Sequence, residues 1–111
     1  MLGGAIMITA LVQFQLSSPV SLAEATQRFE ATAPKYQKLP GLIRKYYIRS
    51  EDGRVVGGVY LWQTRQAAER VYSAERRERI EKLYGTKPTI TWFDGPVVVD
   101  NSTGGTITKA A

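Results

Sequence analysis

Lys45, Tyr47 and Arg49 follow one another at spacings of two, as do Tyr60 and Trp62, within residues 39–63. On a strand that spacing puts side chains on one face. Cations among phenols can do a limited set of things. An ammonium or guanidinium stabilises a developing phenolate or enolate, and a phenol donates a hydrogen bond to a substrate oxygen or carries a proton. Lys45 is the first choice for the charge, with Tyr47 or Tyr60 as the donor. Arg49 lies nearer a strand end, where solvation competes. Tyr72 is a further binding candidate, and Gln13 and Gln15 offer amides that can hold a substrate carbonyl. The commoner fate of a strand aromatic is the core.

Other chemistry is excluded by what the chain lacks. It has no cysteine and no histidine, so it offers no thiolate and no imidazole for metal, haem, general base or triad. We therefore expect no metal and no cofactor. The missing cysteine fits a cytoplasmic protein. A net charge of +5 permits an anionic partner without naming one. The first sixteen residues resemble a signal peptide but have no basic start, and Gln13 and Gln15 break the apolar run at period two, as in a strand. No stretch approaches the length of a membrane-spanning helix.

The elements that must position these residues can be read in order. Residues 6–16 form a strand with Ile6, Ile8, Ala10, Val12, Phe14 and Leu16 on one face. Ser21 and Glu24 make a capping box for a helix whose stripe is Leu22, Ala25, Thr26, Phe29, Ala33 and Tyr36, and Pro34 kinks or ends it. Two strands then flank Asp52-Gly53, a type I′ hairpin signal. Counting outward pairs Arg49 with Val56, Tyr47 with Gly58, Lys45 with Tyr60 and Ile43 with Trp62. Tyr47 can simply cover Gly58 in the sheet. The other face carries Leu42, Arg44, Tyr46, Ile48, Val55, Val59 and Leu61. Thr64 caps a second helix that runs to about Tyr84. Its apolar phase changes, which predicts a break near Ser73-Ala74. Residues 88–100 form the last strand, interrupted at Asp94-Gly95-Pro96, and residues 101–111 read as a mobile tail.

The order β-α-β-β-α-β predicts an α+β, ferredoxin-like domain over residues 1–100. It is an antiparallel four-stranded sheet with two helices on one face. The uncovered face remains apolar, which predicts a homodimer stacked through Leu42, Tyr46, Ile48, Val59 and Leu61.

L-P-G-L-I-R-K-Y-Y-I-R-S-E at 39–51, followed by G-G-V-Y-L-W at 57–62, resembles the YdhR-like monooxygenase family, small dimeric α+β-barrel proteins related to the antibiotic-biosynthesis monooxygenases. The resemblance covers about residues 6–100. It implies a cofactor-independent monooxygenase acting on a small phenolic or quinol-type aromatic, with Trp62 at the end of the third strand lining a pocket between sheet and helices. Some relatives hold the substrate with Asn where this chain has Gln, and the haem-degrading relatives use a His that is absent here. The main alternative is a non-catalytic ligand-binding dimer. RNA binding ranks last: at the aromatic positions of the RNA-recognition strand this chain has Val56, Gly58 and Leu61.

Overall fold

The structure, a computed structural model, describes residues 7–72 and 74–109. Strand β1 (Met7–Gln15) alternates strictly, burying Ile8, Ala10, Val12 and Phe14. The predicted Ile6 lies outside the described residues. Helix α1 (Leu22–Thr32) begins where the Ser21 hydroxyl accepts from the Glu24 N–H at 3.1 Å. It ends ahead of Pro34, and a 3₁₀ turn (Ala33–Tyr36) continues the chain. Strands β2 (Leu42–Arg49) and β3 (Val55–Trp62) form the hairpin. Thr64 caps α2 (Arg65–Val71), accepting from the Ala67 N–H at 3.1 Å. Tyr72 then leaves helical geometry, and α3 (Ala74–Tyr84) follows. The predicted break is therefore present, although Ser73 itself lies outside the described residues. The chain continues through β4 (Thr89–Gly95), β5 (Val97–Asp100) and β6 (Thr106–Lys109).

The sheet runs β2-β3-β1-β4, antiparallel throughout, which is the ferredoxin-like arrangement. The core forms on one face of it. Ile8, Val12 and Phe14 from β1 and Val56, Tyr60 and Trp62 from β3 meet Ala25 of α1 and Ala68 and Val71 of α2. No helix of the described residues is long and apolar enough to cross a membrane.

Four expectations are corrected. The turn is not type I′. Ser50 and Val55 close it, the Gly53 N–H donates to the Ser50 carbonyl at 2.9 Å, and Gly53 (φ +75°) is the only positive-φ residue of the loop. The Ser50 hydroxyl donates to the Asp52 carboxylate at 2.7 Å, and that same oxygen accepts from the Arg54 N–H. These side-chain bonds hold a wider loop than the dipeptide alone implied. The pairings from Arg49 to Lys45 stand, because the wider loop is centred on the same pair. Beyond Arg44 a bulge intervenes: Leu42, not Ile43, pairs with Trp62 and packs against the core, so it leaves the helix-free face. Leu22, read as part of the buried stripe, is 66% exposed.

The segment after Asp100, read as a mobile tail, instead pairs back on β5 as the two-stranded ribbon β5–β6. Asp100 accepts from the Ser102 N–H and hydroxyl and so shapes the connection. Its carboxylate also lies 3.6 Å from the Arg44 guanidinium on β2. Since β2 and β4 are opposite edges, β5 has run from one side of the sheet to the other. Val97, Val99 and Ile107 on the ribbon are exposed.

Candidate active site

The site begins with a strand position that has no side chain. Gly58 faces the helices between Tyr60 and, across the hairpin, Tyr47. A Cβ there would sit 2.9 Å from the Tyr60 ring and 3.0 Å from Lys45 Cε. The space it leaves is where the Lys45 side chain passes. The Lys45 ammonium reaches a cage of three phenols, 3.5 Å from the ring centre of Tyr36, 3.8 Å from Tyr47 and 4.6 Å from Tyr60. Such contacts contribute about 0.5–2 kcal/mol each, the more so when water is excluded.

Each wall of the cage has a local cause. Tyr47 is stacked on Phe29 of α1 at 4.7 Å, and its hydroxyl shares a 2.7 Å hydrogen bond with Thr32. Tyr36 arrives through the 3₁₀ turn that Pro34 opens; its ring stands edge-on to Tyr47 and Tyr60 at 6.3 and 6.0 Å. Tyr60 is buried, and behind it Trp62 stacks nearly parallel at 6.1 Å.

Two small cavities and a more open groove of about 260 Å³, lined by Tyr36, Lys45 and Tyr47 among others, border the cage. One cavity, of about 60 Å³, is lined by Lys45, Tyr47, Tyr36, Tyr60, Thr32 and Tyr84 among others. The second, about 30 Å³, lies towards α3 and β4 and is lined by Tyr36, Tyr60, Tyr72, Arg77, Ile80 and Ile90 among others. Tyr36, Tyr60 and Ile80 form the partition between them.

Burial pushes the Tyr60 phenol far above its ordinary range, with the neighbouring Tyr36 and Tyr72 adding to it. Burial also raises Tyr47, against the opposing hydrogen bond from Thr32. Tyr84 is raised by burial too. These phenols hold their protons, so the cavity beside Lys45 presents its ammonium together with several hydrogen-bond donors. That combination suits a bound anion or a developing oxyanion.

Of the residues named from sequence, Lys45, Tyr47, Tyr60 and Tyr72 come together around these cavities. Trp62 is fully buried and lines neither. It supports Tyr60 from behind, and its indole N–H meets no acceptor among the described residues. Arg49 is held at the turn end of the hairpin, where its Nε donates to the Val20 carbonyl at 2.8 Å. Gln13 and Gln15 pair with Gly57 and Val55 and face the helix-free side, away from the cage, so the structure separates them from the other candidates. Tyr36, Thr32 and Tyr84 were missed. Tyr36 follows Phe29 by seven residues on the same apolar stripe, which was the available signal.

The family model described as "Putative mono-oxygenase ydhR" matches residues 10–96. No curated protein matches the sequence. Among solved structures, the ActVA-Orf6 monooxygenase of Streptomyces coelicolor, in complex with the ligand Nanaomycin D, superposes with a TM-score of 0.63 at 19% identity, covering 86% of this chain and 92% of that one. SnoaB of Streptomyces nogalater, a cofactor-independent oxygenase, gives 0.60 at 19% identity over 82% of this chain and 94% of its own. A conserved protein from Methanosarcina mazei Go1 gives 0.59 at 14%, over 81% and 93%. At these identities the structural likeness bears on the fold alone.

Proposed function

We propose that this chain, which belongs to the ydhR mono-oxygenase family, is a cofactor-independent monooxygenase for a small, electron-rich phenolic or quinol-type compound. The observation that carries this reading is the Lys45 ammonium, held among three tyrosine rings at the edge of a cavity. A phenol or enol deprotonated beside that charge is a good one-electron donor to O₂. The protein then needs only to stabilise the anion, supply hydrogen bonds from Tyr47 and Tyr60, and exclude water. SnoaB and ActVA-Orf6, with the same fold, are by name oxygenases. Tyr47 and Tyr60 act as donors in this scheme, since both resist ionisation.

Cavities of about 60 and 30 Å³ are far below the ~300–1,000 Å³ of ordinary ligand pockets. Substrate approaches Lys45 and Tyr47 from the open groove of about 260 Å³ beside them, and displacing Tyr36 and Ile80 joins the enclosed spaces to it. Tyr72 leaves helical geometry between α2 and α3, the helix that carries Ile80.

The test is oxygen uptake with a panel of hydroquinones and anthrones in the presence of chelator. Wild type consumes oxygen above background, and Lys45→Met loses about 10²–10³ of the rate, the scale of removing one oxyanion stabiliser. Circular dichroism checks that the variant is folded. Binding seen as fluorescence quenching without uptake makes the chain a ligand-binding protein instead. The same reading includes a homodimer through the helix-free face carrying Tyr46, Ile48, Val59 and Leu61, for which light scattering returns twice 12.3 kDa.

A further inference from the structure

The aromatic residues do not stop at the cage. From Tyr60 the rings continue to Tyr72 at 5.7 Å and from Tyr72 to Trp92 at 5.5 Å. A parallel branch runs from Tyr60 through Trp62 at 6.1 Å and on to Tyr72 at 6.2 Å. Trp92 is only partly buried, lines a surface groove between α3 and β4, and lies beneath the Arg65 guanidinium. Every ring of this series can be oxidised by one electron, and each lies within a ring's width of the next. We propose that Tyr60, Trp62, Tyr72 and Trp92 form a relay that carries oxidising equivalents out of the pocket to the protein surface.

The chemistry balances in one-electron steps. An escaped peroxyl radical, formed from substrate and O₂, takes the hydroxyl hydrogen atom of Tyr60 and becomes a hydroperoxide, leaving a neutral Tyr60 phenoxyl radical. An electron from Trp92, passed through Tyr72 directly or by way of Trp62, and a proton that solvent supplies at the Tyr47 side together restore the Tyr60 phenol. The Trp92 radical releases its indole proton to solvent, and a thiol- or ascorbate-class reductant later returns the electron and the proton. Trp62 keeps its indole proton while it passes an electron, since its N–H has no acceptor among the described residues. The geometry also makes Tyr72 the node through which both branches reach Trp92.

A protective role for the relay rests on the oxygenase reading, but conduction through it does not, and the two are separable by experiment. Pulse radiolysis with azidyl radical uses neither substrate nor O₂. In wild type the radical oxidises Trp92, the accessible tryptophan. Its indolyl signal then decays with a first-order rate independent of protein concentration while a tyrosyl signal grows. Peptide mapping after a limiting dose finds oxidation in residues 55–65, which contain the buried Tyr60 and Trp62. Tyr72→Phe keeps the ring and removes the oxidisable phenol. It slows the first-order phase by an order of magnitude or more and leaves 55–65 unmodified, whereas Trp62→Phe, with one branch intact, retains the transfer. A wild-type indolyl radical that decays only by second-order reaction, or an equal first-order rate in Tyr72→Phe, overturns the relay. A relay that conducts in a protein with no oxygen uptake overturns the oxygenase reading alone.

Discussion

The two faces of the β2–β3 hairpin are drawn from the same few residue types and reach different ends. On one, Val56, Tyr60 and Trp62 are buried, with Lys45 and Tyr47 drawn in among them. On the other, Val55, Val59 and Leu61 are half-buried and Tyr46 is 56% exposed. The difference lies in what comes after the strands. Helices α1 and α2 bring Ala25, Ala68 and Phe29 down on the first face and close it. Among the described residues no helix arrives on the second, and only the Asp100 end of β5 reaches it, at Arg44. A strand's own pattern declares that a face is apolar, while the identity of its cover is decided by other parts of the chain.

The sharpest way to test that asymmetry is to delete one large side chain from each face. Trp62→Ala should destabilise by about 3–5 kcal/mol, the cost of a large core cavity. Tyr46→Ala should cost about 0.5 kcal/mol in a monomer. Urea titrations of both variants at low concentration give the comparison, and equal losses would remove it.

Next in size is Val59→Lys, which asks whether a second copy is the missing cover. In a homodimer it buries an unpaired charge and should cost several kcal/mol, shifting light scattering to the mass of one chain. In a protein whose outer face stays open, it changes stability by only about 0.5 kcal/mol.

The smallest effect is one of pH, and it belongs to the closed face alone. Tyr60, Tyr47 and Tyr84 have raised pKa values in the folded state, burial being the first cause of each. The unfolded chain loses these protons near the ordinary value of 10.0, while the folded chain keeps them. The folded state then binds more protons, so stability is intact below about pH 10 and falls as pH rises beyond it. Thermal melts across that range should show the decline, and Tyr47→Phe should lessen it. A melting temperature that stays flat as pH rises past 10.0 would show that the phenols are not sealed in.

Much of this was legible in the chain. Alternation in β1 and β3 fixed the faces, and the change of apolar phase after Tyr72 revealed the helix break. What escaped was geometry set by single residues. Ile43 is one extra residue in β2, and a slip of one moves Leu42 from the outer face to the core. The separation of Gln13 and Gln15 from Lys45 was implicit in their alternation with Val12 and Phe14. It became decisive only once the helices were known to lie on the Val12 side. Tyr36 was missed as a cage wall because a 3₁₀ turn re-aims a residue that helical periodicity had sent to the core. The ribbon was missed because Thr106–Lys109 gains its strand character from pairing with β5, and residues 101–111 alone are poor in apolar side chains.

Gly58 carries a consequence of a hereditary kind. Gly53 serves a backbone with φ of +75°, whereas Gly58 lies in ordinary strand geometry, where other residues fit the backbone equally well. It is glycine for room alone. Glycine and alanine codons differ by one base, so a single nucleotide change would set a methyl carbon against Tyr60 and the Lys45 stem. The lysine's passage to its cage thus depends on a codon that can be altered without disturbing the strand. Descendants of this gene could lose the site and keep the fold.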